Sequence, residues 1–344
     1  MQLTSPLEST RNFGWAIIGP GAIAGQFAQA VAGVADAHVA AVWARDIDRA
    51  RRFAMQQGLS TGCVCATLSD MLALDSVDCV YIATSHQAHA VFAEQALRAG
   101  KPVVCEKPLT PNLQATQALL ALSRAQGLFM MEALWTRCLP VYQHIGQWLR
   151  QSLIGPLRSV QSAFCFPAAF DAQSRLFNPE LAGGALLDIG IYNVAMTRWA
   201  VEQGHGAGLE VSARHVQASL APTGVDMSVA GQLQFGDRVS AQFVCALDRL
   251  AGDALELHGD KGCIRVPDRF WRAEAAVLSR PGQADEWLRL PHRVNGFEYE
   301  IEEAMRCIRG GLLESPLMPH RESLALAGEL DALRALAGVR YPFE

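Results

Sequence analysis

The chain has 344 residues, half of them hydrophobic, enough length for two domains and enough apolar content for a sizeable core. Its 29 basic and 34 acidic residues give a formal charge of -5, scattered without the Lys/Arg block that tracks a phosphate backbone, so nucleic acid is not an expected partner. No run of about 18 apolar residues occurs, and the opening MQLTSPLESTRNFG has no basic stretch leading into an apolar one; a soluble, cytoplasmic protein with no membrane partner is the expectation.

The first apolar run, FGWAIIG (13–19), is rich in β-formers and stops at Gly-Pro-Gly, after which 22–33 has helix-forming composition. HVAAVWA (38–44) reads as a second strand and DIDRARRFAMQQG (46–58) as a helix. VDCVYIAT (77–84), AHAVFAEQALRAG (88–100) and PVVCEKP (102–108) repeat the alternation, and GLFMMEA (127–133) reads as a sixth strand-like segment. Apolar strands without strict alternation, separated by helices, predict a doubly wound parallel sheet of the Rossmann kind over residues 1–132.

The turn after the first strand, G-P-G-A-I-A, places Gly19, Gly21 and Ala24 on the G-x-G-x-x-G/A spacing, with Ala22 and Ile23 opening the helix. Gly19 permits a sharp turn, Gly21 lets a pyrophosphate approach the backbone, and Ala24 allows close helix packing. An NAD-selective site usually has an acidic residue at the end of the second strand. Here Arg45 comes first, Asp46 next, and Arg49 lies one helical turn beyond Arg45. Two guanidiniums at that spacing favour a 2'-phosphate, hence NADP, with NAD as the alternative.

Ligands bind beyond the carboxyl ends of parallel strands, so Thr84, Ser85, His86 and His89 after the third strand carry weight, as do Glu106 and Lys107 after the fourth. Pro108 stiffens the backbone behind Lys107. Downstream, PLRSVQSAFCFP (156–167), LEVSARHVQASL (209–220), DMSVAGQLQFGDRVSAQFVCAL (226–247) and DALELHGDKGCIRVP (253–267) show alternation and Gly-Asp turns. They predict an α+β domain with a large open, mostly antiparallel sheet over 133–344, closed by C-terminal helices that pack back on the first domain. The nine cysteines include one C-x-C and no C-x-x-C, and the histidines show no H-E-x-x-H, so reduced thiols and no metal site are expected.

With the glycine-rich turn, ATSHQAH, CEKPL, MEALWTRCLP (131–140) and GGALLDIGIYN (183–193) in this order, the chain resembles the glucose-fructose oxidoreductase and inositol dehydrogenase superfamily. Within it, the similarity points to the branch of dimeric dihydrodiol dehydrogenase and NADP-dependent xylose dehydrogenase. Ser85 stands where many relatives have proline, and Ala24 replaces the third glycine.

The resemblance implies that Lys107 contacts cofactor and substrate, that Glu106 supports the cofactor site, and that Asp188 and Tyr192 are the catalytic pair of the substrate domain. It also implies that Trp135 and Arg137 line the cleft, that Phe164 forms an apolar wall, and that the sheet packs face to face in a homodimer or higher homo-oligomer.

The expected activity is NADP-dependent hydride transfer between the nicotinamide and a carbinol or carbonyl carbon of a small molecule, a sugar or a trans-dihydrodiol. Tyr192 is the proton donor or acceptor. Lys107 is expected to lower its pKa, and Asp188 to bind a second hydroxyl or orient Lys107. Two other functions compete: an NAD-dependent, redox-assisted glycosidase, and a nonenzymatic nucleotide sensor.

Overall fold

In the computed structural model, which describes residues 12–344, the first apolar run forms strand β1 (Phe13–Ile18), and every residue in it is buried. A strand covered on both faces has no polar side to show, which is why FGWAII lacks alternation. The expectation that no targeting segment opens the chain rests mainly on residues 1–11, which lie outside the described residues.

After β1 come α1 (Ala22–Ala32), β2 (Ala37–Trp43), α2 (Ile47–Gln56), α3 (Leu68–Leu72) and β3 (Cys79–Ile82). Then follow α4 (His89–Arg98), β4 (Val103–Glu106), α5 (Leu113–Gln126) and β5 (Met130–Ala133). The five strands pair in parallel in the order β2-β1-β3-β4-β5, so 127–133 contributes a fifth strand and not a sixth.

The chain leaves β1 for β2 on one side and returns to β3 on the other, which opens a crevice at the carboxyl ends of β1 and β3. Gly19 closes the turn there with φ +88, and a Cβ on it would lie 2.6 Å from the Ala83 carbonyl oxygen and 2.7 Å from Thr84 Cγ2. Only glycine lets the two strand ends approach this closely. Gly19→Ala is therefore expected to lower the melting temperature and weaken NADPH binding together. A melt with and without NADPH checks this, and unchanged values in both would show that the turn tolerates a side chain.

The second half begins with α6 (Pro140–Arg150), β6 (Leu157–Cys165) and α7 (Ile191–His205), followed by β7 (Val211–Leu220), β8 (Asp226–Phe235) and β9 (Val239–Ala246). The strands β10 (Leu255–Gly259), β11 (Gly262–Val266), β12 (Ala275–Ser279) and β13 (Glu286–Arg289) complete an eight-stranded sheet in the order β13-β12-β11-β10-β6-β9-β8-β7. It is antiparallel except where β6 meets β9. Alternating burial along β8 and β9 leaves one face open, while α7 lies on the other, where Asn193 Nδ2 donates to Ser162 Oγ at 2.8 Å.

Two last helices, α8 (Phe297–Arg309) and α9 (His320–Ala337), return to the first sheet. Asn295 Nδ2 donates to the Gln26 carbonyl at 2.9 Å, Met130 N–H to the Leu313 carbonyl at 3.0 Å, and Leu113 N–H to Asp331 Oδ2 at 2.8 Å. As a result one apolar core runs from α1 and β1 through Trp135 and Phe297 to α7 and the large sheet. Among the described residues all nine cysteines are free thiols, and no helix is long and apolar enough to cross a membrane.

Candidate active site

At the crevice mouth Gly21 precedes α1, which has no side-chain cap, so its first backbone N–H groups are available to an anion. A Cβ on Gly21 would meet only Arg49 Nη2 at 3.6 Å and the Gly19 carbonyl oxygen at 4.0 Å. The fold itself does not require glycine there; the space it leaves suits a phosphate approaching the backbone.

Arg49 Nε donates to the Pro20 carbonyl at 3.1 Å, which draws its guanidinium over this turn, and Arg45 is exposed at the end of β2. Ala22 and Ile23 are exposed in the first turn of α1, the latter at 43%. Asp46 is committed elsewhere: Oδ1 caps α2 by accepting from Asp48 N–H at 2.9 Å, and Oδ2 lies 3.7 Å from Arg52. A cavity of about 370 Å³ lies beside the turn, lined by Pro20, Gly21, Ala22, Gln26, Arg49 and Arg52 among others. These features fit a dinucleotide.

The ends of β3 and β4 are tied together by His89, whose Nδ1 lies 2.8 Å from the Pro108 carbonyl and Nε2 3.2 Å from the Thr84 carbonyl. Burial lowers its pKa to about 4, so the ring is neutral and its single N–H donates to one of these two carbonyls. With no exposed surface, His89 does not reach a cofactor; it supports the turn that carries Lys107. Thr84, packed against Gly19, remains half-buried at the crevice.

His86 reaches across to the second domain, with Nδ1 2.9 Å from the Ala182 carbonyl and Nε2 3.9 Å from Asp188 Oδ1. Burial first and Lys107 second lower its pKa to about 3, so it faces Asp188 as a neutral ring.

Lys107 is the meeting point of the two halves. Its Nζ donates to the Asp188 carbonyl at 2.6 Å and to Asp188 Oδ1 at 3.3 Å, and it lies 5.3 Å from the centre of the Tyr192 ring. A second cation, Arg175, donates through Nη1 to the same Oδ1 at 2.7 Å. Burial alone would push the Asp188 carboxyl up, but Lys107 first and Arg175 second outweigh it and hold the group well below the usual carboxylate range. Asp188 is therefore a carboxylate. Its segment, Leu186–Gly190, is a π-helical turn leading into α7, so the four-residue spacing to Tyr192 spans a widened turn and not a regular α-helical one.

Tyr192 Oη accepts from Trp135 Nε1–H at 3.2 Å, and Trp135 stacks on Phe297 at 4.6 Å. Phe164 lies 5.8 Å from the Tyr192 ring and stacks on Trp271 at 3.4 Å, completing an aromatic wall. The expected lowering of the Tyr192 pKa is overturned. Burial pushes the phenol well up, Glu106 and Asp188 add to it, and the Lys107 ammonium stands over the ring face engaged with Asp188.

Glu106 accepts from Tyr81 Oη–H at 2.6 Å, and burial raises its pKa. Arg137 is not in the cleft: it is 3% exposed and points to Glu202 and Glu322 at 3.6 Å each, an ion cluster that joins α7 to α9. Sequence reasoning missed Arg175, which sits in an irregular segment with no periodicity to mark it. It also missed Glu300 on α8, a fully enclosed carboxyl whose oxygens have no hydrogen-bond partner and whose pKa is raised by burial and Glu106.

Residues 13–134 match the model of the "Oxidoreductase family, NAD-binding Rossmann fold", and residues 142–265 match the GFO/IDH/MocA C-terminal domain. Trans-1,2-dihydrobenzene-1,2-diol dehydrogenase of Oryctolagus cuniculus is 30% identical over 334 residues, covering 95% of this chain and 99% of the relative. The Homo sapiens enzyme of the same name is 30% identical over 340 residues, at 95% and 98% coverage.

Among solved structures, KijD10, a 3-ketoreductase from Actinomadura kijaniata in complex with NADP and TDP-benzene, superposes with a TM-score of 0.81. Its identity is 27%, over 96% of this chain and 98% of that one. Aldose-aldose oxidoreductase from Caulobacter crescentus, complexed with glycerol, shares the fold with a TM-score of 0.84 at 24% identity, over 95% and 98% of the two chains.

Proposed function

The chain belongs to the oxidoreductase family with an NAD-binding Rossmann fold and a GFO/IDH/MocA C-terminal domain, and from that premise we propose that it is an NADP-dependent reductase or dehydrogenase of a sugar or trans-dihydrodiol. The observation that carries this reading is the convergence of Lys107, Asp188 and Tyr192 from two domains on one cleft. Gly19, Gly21, Ala22, Ile23 and Thr84 would hold the dinucleotide, Arg45 and Arg49 its 2'-phosphate, and Trp135 and Glu106 flank its inner end. When bound, the nicotinamide supplies or takes the hydride.

The residues of the chain manage the proton. Tyr192 accepts a hydrogen bond from Trp135, so its own O–H is free to donate. Its pKa lies far above neutrality, so the phenol is protonated and can deliver that proton to a carbonyl oxygen as the alcohol forms. Lys107 holds Asp188 charged, and the carboxylate is placed to accept from a neighbouring hydroxyl, which suits a vicinal diol or sugar. Phe164 and Trp271 supply a flat apolar wall for the substrate's carbon face.

The raised phenol fixes the expected pH behaviour. That phenol gives carbonyl reduction no inflection of its own through neutral pH, whereas alcohol oxidation should still be climbing at about pH 10, where a free phenol would be half ionised. Assays of both directions at 340 nm, over sugars, dihydrodiols and their carbonyl counterparts with both cofactors, test the reading; binding of NADPH without turnover of any of them would count against it.

Arg45→Ala and Arg49→Ala should each weaken NADP by about 10-fold or more while sparing NAD, the loss of one charge-assisted contact. Equal losses for the two cofactors in a fluorescence titration would remove the 2'-phosphate assignment. The open face of the large sheet, with Gln161, Gln217, Gln232 and Gln242, is where a second copy would pack. Light scattering should then give about twice the chain mass.

A further inference from the structure

Asp226, the first residue of β8, has no exposed surface, and its Oδ2 accepts from the Leu186 backbone N–H at 2.6 Å. The helical run beginning at Ala185 has no side-chain cap of its own, so this carboxyl, brought from a strand 40 residues on, performs that role. Residue 184 must be glycine for it to fit: φ is +121, and a Cβ would lie 2.2 Å from Asp226 Oδ1. On the other side, Tyr341 Oη donates to the Gly183 carbonyl at 2.6 Å, with its ring 4.7 Å from the Arg334 guanidinium. The peptide where the helix begins is thus held from β8 and from the C-terminal residues. Two residues further on is the Asp188 carbonyl, the acceptor of the shortest bond Lys107 makes.

We propose that Asp226 is a positioning residue for the active site: by holding the Leu186 N–H it sets the backbone of residue 188 where Lys107 reaches it, and so orients Lys107 beside Tyr192. The proposal rests on the hydride-transfer reading for its effect on rate, but its geometric part does not. Oδ1 of Asp226 has no hydrogen-bond partner, and burial pushes the group up to about 7 against the bonds from Leu186 and Ala185 and the charge of Arg334.

The charged and titratable groups facing it are Arg334 from α9, Tyr341 beyond it and Cys245 from β9. The phenol and the thiol are both pushed up by burial and stay neutral, and Arg334 is already bonded to Asp331 and Glu344. Asp226 itself is therefore the group there that changes charge near neutrality. Its folded pKa lies above the ordinary 3.8, so the folded state binds its proton more tightly. The group's contribution to stability falls as pH rises from about 4 to about 7 and is fully lost above that.

The test uses full-length Asp226→Asn and Asp226→Ala. The chain has only three lysines, Lys101, Lys107 and Lys261, so ¹³C-methylation gives a Lys107 resonance that Lys107→Arg assigns. In the wild type that resonance is expected to move with pH through neutrality; in D226N the movement is lost, whether or not a substrate is known. With a substrate, D226A should lower kcat at least 10-fold while NADPH affinity stays within twofold, and D226N should lose the matching inflection in the kcat profile. D226N should also melt higher than the wild type at pH 8.

A Lys107 resonance that behaves identically in wild type and D226N overturns the proposal, as does an unchanged kcat profile. If D226A does not fold, D226N decides. A resonance that responds as expected in a protein that turns over none of the carbonyl panel supports the positioning role and counts instead against the hydride-transfer reading.

Discussion

Tyr192→Phe is expected to lower kcat for carbonyl reduction by about 10²- to 10⁴-fold, the usual worth of a positioned acid, with NADPH affinity unchanged. The substitution removes one oxygen and keeps the ring. The ring contacts to Phe164 at 5.8 Å and to Lys107 at 5.3 Å survive, so the cleft keeps its shape. The group lost is the one that can donate: Trp135 Nε1 also loses its acceptor, a buried donor whose desolvation costs about 1–3 kcal/mol. That stability loss separates two explanations of any fall in rate. If the oxygen only anchored Trp135, Trp135→Phe would lower kcat as much as Tyr192→Phe, and the Tyr192→Phe rate would keep the wild-type pH dependence. If Tyr192 is the proton donor, Trp135→Phe retains most of the rate. In addition, the alkaline rise expected for oxidation vanishes only in Tyr192→Phe. Measuring kcat against pH for both variants in both directions decides between them.

Where the sequence could be read and where it could not follows from which physical signals are local. Strands of the first sheet such as FGWAII and CVYI were visible because a strand buried on both faces must be apolar throughout, and the half-covered edge strand AHVAAVW was visible from its β-branched and aromatic content. The last two, AAVLS and EWLR, are short, and the second is nearly all exposed, so neither carries an alternating pattern. Lys107 could be singled out because it ends a parallel strand, whereas Asp188 and Tyr192 were marked as a catalytic pair by the family resemblance.

His89 and Arg137 had the right residue type and chain position, yet their side chains point into the structure, and direction is set by tertiary packing. Asp226 opens a strand next to a turn, where an aspartate reads as a turn residue. Its bond to Leu186 exists only after the large sheet has formed. The sign of the Tyr192 shift failed for a related reason: the sequence supplied a neighbouring cation but neither the burial nor the carboxylates that outweigh it.

Lys107→Met should be the second most damaging change, and its pattern is more informative than its size. Loss of one preorganised donor in a closed site is worth about 10²- to 10³-fold in kcat, and Lys107 makes two bonds to Asp188. Asp188 would be left with Arg175, whose side chain is 57% exposed, as its one remaining cation among the described residues. Burial would then push the carboxyl back up from its present low position, because the largest opposing influence has gone. Lys107 and Asp188 therefore act as a unit. Asp188→Asn alone should remove the carboxylate charge that pairs with Lys107 and Arg175 and strengthens its hold on a substrate hydroxyl, while Lys107 keeps its bond to the carbonyl of residue 188. The double variant Lys107→Met/Asp188→Asn should be little worse than the poorer single one, since the under-compensated buried carboxylate left by the first change is abolished by the second. Losses that multiply, with NADPH binding intact in all three variants, would mean that the two residues serve separate steps and that their close contact has no catalytic consequence.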